Sequence, residues 1–165
     1  MTFRRSKSNA YTIIEFSMVL LVFGLMYGMM SPIYVQYLDN AKTEEAEQSI
    51  ENISVDIDDF FYQNGHYPDS LEEVYGEVPL DEWGNPYQYL RIDGGKTKGK
   101  GKLRKDKNLV PINTDYDLYS MGPDGKSQAP LTANASRDDI VRARNGTFFG
   151  VAEEYWWVKK IFIMY

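Results

Sequence analysis

Residues 9–32 read NAYTIIEFSMVLLVFGLMYGMMSP, and the fold turns on how this run is taken. From Phe16 to Met30 it carries no charge. With Ala10 to Ile14 in front it reaches about 20 residues, enough for a helix to cross about 30 Å of hydrocarbon. The run reads as a membrane helix, with one residue out of place. An ionised carboxylate such as Glu15 costs roughly 2.5 to 3.5 kcal/mol at a bilayer centre, so it is a functional suspect by default. The bland alternative is a side chain that snorkels to the interface, since Glu15 lies close to the helix end.

The flanks orient the segment. MTFRRSKSNA precedes it, with Arg4, Arg5 and Lys7 and no acid, whereas DNAKTEEAEQ follows it. The positive-inside bias leaves the N-terminus in the cytoplasm and everything after about Tyr37 outside. Pro32 lies at the end of the apolar run, where its ring and missing N–H kink a continuing helix. Beyond it Ala46, Ile50, Ile53, Ile57 and Phe60 step by 4, 3, 4 and 3, an apolar stripe with acids and amides opposite. Asn64-Gly65 supplies a C-terminal stop. One long helix is therefore expected from Thr12 to Asn64, membrane-embedded over residues 11–31 and amphipathic over 32–65.

A chain of 165 residues leaves room for one further globular domain, residues 66–165. Ser70 to Tyr75 is an expected short helix, with Ser70 as N-cap and Glu73 completing a capping box. Pro86–Ile92 and Asp117–Met121 are expected strands, with Tyr155–Val158 as a further candidate, giving a small antiparallel sheet and an α+β class. Between the first two strands, residues 91–108 carry eight Lys plus Arg against two Asp and read as a solvated polar loop. Nucleic acid is disfavoured as its partner, because no aromatic interrupts the run to stack a base. His66 reads as a turn residue, and Trp83, Tyr87 and Tyr89 as packing under the sheet. The tail YWWVKKIFIMY reads as a strand or as an exposed partner contact. The chain has no cysteine, no HExxH, no GxSxG and no phosphate loop, which argues against an enzyme.

Tyr11, Thr12, Ile13, Ile14, Glu15 and Phe16, placed after a basic leader and before an apolar helix, resemble the class III signal of type IV pilins and pseudopilins. Pro32 stands where that family has its helix-kinking proline. NGHYPDSLEEV, PLDEWGNPYQYL and DYDLYSMGPDG, in that order, resemble the major pseudopilin of type II secretion systems. The resemblance implies that a prepilin peptidase removes residues 1–10, cutting between Ala10 and Tyr11 and methylating the new amine. It implies a long helix against a three-stranded sheet, and helical homo-oligomeric filaments in which Glu15 pairs with the Tyr11 amine of a neighbouring subunit. Minor pseudopilins and an inner-membrane assembly platform are the further partners it implies. The resulting pseudopilus lies in the periplasm and helps to move folded proteins across the outer membrane.

The resemblance also implies Ca2+ in the loop before the last strand. Carried over residue by residue, the site falls on the Met121 carbonyl, Asp124, Asp138 and Asp139, with Ser136 as a further backbone oxygen. Hard oxygen donors of this kind suit calcium, and the loop is not an EF-hand. Read without the resemblance, these acids are an ordinary solvated loop. Two rival functions are a type IV pilus subunit for adhesion, motility or DNA uptake, and an anchored binding module that never polymerises.

Overall fold

The computed structural model describes residues 12–94 and 101–155. Helix α1 runs from Ile13 to Asn64 and passes through Pro32. Just after it Gly65 takes a left-handed φ of 74° and donates its N–H to the Phe61 carbonyl, which closes the last turn as the Asn-Gly pair predicts. The chain divides into two units, residues 1–40 and 41–165. In the first, an apolar window of α1 long enough to cross a membrane has none of its residues buried. Ile13, Phe16, Leu21, Phe23 and Met30 are all exposed there.

In the second unit the stripe behaves as its spacing requires. Ala46, Ile50, Ile53 and Ile57 are buried, and Phe60 is half-buried with its ring edge-on to His66. They pack on a four-stranded antiparallel sheet in sequential order: β1 (Gln88–Arg91), β2 (Tyr116–Ser120), β3 (Ile140–Ala143) and β4 (Phe148–Val151). Strand alternation sorts the side chains. Tyr116 and Leu118 of β2 and Ile140 of β3 join the α1 stripe, Leu71 and Tyr87 in one core cluster, with Trp83 and Tyr89 packed against it. Val141 and Ala143 face the other way, into a second cluster with Ile112, Leu131, Ala152 and Tyr155. The sheet thus has α1 on one face and the segments around residues 104–131 and 152–155 on the other.

Several expectations change. The sheet has four strands among the described residues, not three, and β3 and β4 were not anticipated. Tyr155, expected to open a strand, lies in a helical turn over residues 152–155, while residues 156–158 lie outside the described residues. Helix α2 is shorter, Glu72–Tyr75, and its N-cap is Leu71 rather than Ser70, with no side-chain cap. Glu73 instead reaches back to accept the Asp69 N–H at 2.8 Å. The basic stretch is not solvated throughout: residues 95–100 lie outside the described residues, but Leu103, Arg104 and Asp106 are buried.

Candidate functional site

Two places bear on function: the N-terminal end of α1, and the connection between β2 and β3. At the first, Glu15 closes a reciprocal cap. Its Oε2 accepts the Thr12 N–H at 2.9 Å and the Thr12 hydroxyl at 3.3 Å, while the Glu15 N–H donates to Thr12 Oγ1 at 3.3 Å. Thr-x-x-Glu is the sequence signature of this box, and it satisfies backbone donors that a helix end leaves bare. In an apolar surround such donors are costly, so the carboxylate has a local use as well as the expected intermolecular one. Ala10 and Tyr11 lie outside the described residues. Pro32 lies within α1.

Residues 121–139 join β2 to β3 with one short 3-10 turn, Asn134–Ser136, as their regular structure. The turn after β2 is pinned by PLDEWGNPYQYL. Ser120 Oγ donates to Asp81 Oδ2 at 2.5 Å and accepts the Gly122 N–H, and Asn85 Nδ2 donates to the Gly122 carbonyl at 3.0 Å. Gly122 has φ 63°, and a Cβ there would overlap the Asp138 carbonyl oxygen, so only glycine lets the two ends of the connection meet.

The residues expected to hold calcium have these surroundings. Asp124 is exposed and its Oδ1 accepts the Lys126 N–H at 2.7 Å. The Ser136 hydroxyl is taken up with Gln128, accepting its N–H at 2.7 Å and donating to its carbonyl at 2.8 Å. Asp138 is half-buried against Gly122. Asp139 is fully buried, and its Oδ2 accepts from Arg104 Nη2 at 2.5 Å and from Ser127 Oγ at 2.6 Å. Burial pushes the Asp139 carboxyl above the usual carboxylate range, and the Arg104 guanidinium and Ser127 hydroxyl pull it back. Asp139 Oδ1 is buried without a hydrogen-bond partner. Yet Asp124, Asp138 and Asp139 do not converge, and no trio of His, Cys, Asp or Glu among the described residues is placed to hold a metal. A dication at Asp139 would lie beside the Arg104 guanidinium and be repelled by it. In this arrangement the three carboxylates do not share one calcium site.

Arg104 was missed in the sequence. It sits among lysines and glycines, and its signal is slight: an arginine next to Leu103, where the surrounding run uses lysine. A matching pair lies on the helix face of the sheet. Arg142 donates to Asp115 at 2.6 and 3.0 Å and to Ser54 Oγ at 3.1 Å, with its guanidinium 3.9 Å above the Tyr116 ring.

No family model and no solved structure matches the chain. Among characterised proteins, the chain is similar to the type II secretion system core protein G of Pseudomonas aeruginosa, at 26% identity over a match covering 74% of this chain and 89% of that protein. That similarity supports the pilin-like resemblance carried by the ordered motifs between Asn64 and Gly125 and by the segment around Glu15.

Proposed function

We propose that this chain is a structural subunit of a type II secretion pseudopilus. The observation that carries the reading is the pairing of an exposed apolar half of α1 with a second half packed on a small sheet domain, in a chain similar to a core protein of that system. A helix so apolar has two kinds of surroundings in which its surface is satisfied: lipid, or a bundle of identical helices. The subunit waits in the inner membrane with its N-terminus cytoplasmic and its domain in the periplasm. It then moves into a helical homo-oligomer.

Prepilin peptidase removes residues 1–10, and the methylated amine of Tyr11 becomes the cationic partner of Glu15 on an adjacent subunit. Buried charge is tolerated when paired, and losing one partner costs about 3 to 5 kcal/mol, so the pair favours registered subunits over staggered ones. An assembly platform in the inner membrane supplies the work, and minor pseudopilins complete the filament. The subunit's role is mechanical rather than catalytic.

Co-expression with a prepilin peptidase tests the reading. The chain should lose about 1 kDa, roughly 110 Da for each leader residue, and Edman sequencing should begin at Tyr11. An intact N-terminus would leave Glu15 without its partner and remove the filament reading.

A further inference from the structure

The connection before β3 is long, poor in regular structure and closed over a fully buried carboxylate. Something cationic has to compensate that charge, since an isolated buried carboxylate is not tolerated. The geometry points to Arg104 as that cation: we infer that a guanidinium delivered by the basic segment between β1 and β2 locks residues 121–139, and that this domain folds without calcium. The inference does not depend on whether the chain assembles into a filament.

Arg104 is 3% exposed and is placed from both ends. Its own N–H donates to Asp117 Oδ2 at 2.9 Å, and Asp117 is held in turn by Asn113 Nδ2 at 3.0 Å. Immediately after it, at Lys105, the backbone of its segment is knitted to the connection. The Lys105 N–H donates to the Ala129 carbonyl at 3.1 Å, and the Leu131 N–H to the Lys105 carbonyl at 2.9 Å. The side chain therefore emerges at a fixed height above the far face of the sheet. There its guanidinium lies 4.1 Å from the centre of the Tyr119 ring.

From that position its nitrogens reach three points of the connection. Nη1 donates to Ser127 Oγ and to the Gln128 carbonyl, both at 2.6 Å, and Nη2 to Asp139 Oδ2 at 2.5 Å. Ser127 relays a further bond to the same carboxylate oxygen at 2.6 Å. A carboxylate, a hydroxyl and a backbone carbonyl are the donor types that a hard cation gathers from a loop. Here a planar fork gathers them, with directions fixed by the stacked guanidinium rather than by a coordination sphere. Lysine, a point charge on one nitrogen, lacks the two separate Nη atoms between which these contacts are divided.

The substitution has a chemical consequence. A guanidinium stays protonated at any physiological pH, and being covalently attached it is never diluted. A calcium-locked loop, by contrast, follows the free ion concentration, because binding to the folded state alone stabilises it by mass action.

The test uses the full-length chain in detergent. Thermal melts in about 5 mM EDTA and in about 10 mM CaCl2 should coincide within about 1 °C, since a site of even millimolar affinity would separate them. Equilibrium dialysis with radioactive calcium should find no ion retained per chain. Arg104→Lys should lower the midpoint by about 5 °C and Arg104→Met by about 10 °C or more. A melt of the unaltered chain that rises with calcium, or one retained ion per chain that Asp139→Asn abolishes, would overturn the inference. So would an Arg104→Lys variant that melts like the parent. The dialysis is done on the unaltered chain, so a variant that fails to fold does not blunt the test.

Discussion

At the level of single residues, Glu15 has two demands on one carboxylate. It closes the Thr12 cap within its own helix, and in the proposed filament it faces the Tyr11 amine of a neighbour. The two can be separated. Glu15→Gln keeps an acceptor for the Thr12 N–H and removes the charge, whereas Glu15→Ala removes both. Both variants should insert in the membrane normally and yield few filaments in a shearing assay. Glu15→Ala should in addition lose about 1 kcal/mol of helix-end stability, seen as faster amide exchange at residues 13–16. Filaments at parental levels from Glu15→Gln would show that the charge is not what assembly needs. Glu15 was legible as a functional residue because a charge in an apolar run stands out, and Thr-x-x-Glu was equally open to view as a cap. Arg104 was not, because what sets it apart from the neighbouring lysines is Asp139, a partner 35 residues away that periodicity cannot reveal.

At the level of elements, α1 was readable from end to end, because an unbroken apolar run covers its first half and four-and-three spacing its second. β3 and β4 were not. IVRA is buried at every position, so it shows no alternation, and Arg142 in its middle reads as surface until Asp115 and Ser54 are seen to partner it. The signal that was present is Asn145-Gly146, both with positive φ in the turn before β4. Where β4 meets α1, Glu44, Glu47, Gln48, Glu51 and Phe149 line a shallow cavity. Burial raises the Glu47 carboxyl above its ordinary value, and the nearby Glu154 and Glu44 raise it further, against a bond from the Val151 N–H that lowers it. With the folded value raised, the folded state holds a proton that the unfolded chain has released. The strain therefore sets in as pH rises through the raised value. Glu47→Gln should raise the melting midpoint at pH 7 by about 2 °C, and the gain should vanish near pH 4, where the parental carboxyl is protonated too. A gain that persists in acid would assign the effect to packing instead of charge.

For the molecule as a whole, the α+β class and the anchor were legible because they depend on composition and on one long periodic element. The two units make different demands on the sequence: the first on hydropathy alone, the second on a two-sided core. Ile50→Ala should accordingly cost the domain about 2 to 5 kcal/mol and make it protease-sensitive, while the chain still partitions with membranes. Loss from the membrane fraction would mean that the anchor depends on the domain. The strand order β1-β2-β3-β4 has a kinetic meaning as well. Each strand pairs with the one made just before it, so a chain emerging N-terminus first finds every new strand's partner already delivered. The second core cluster is the exception, since Ala152 and Tyr155, near the end of the described chain, complete it. Until they arrive, Leu131 and Val141 lack part of their cover, and the far face of the nascent sheet is not yet closed against solvent.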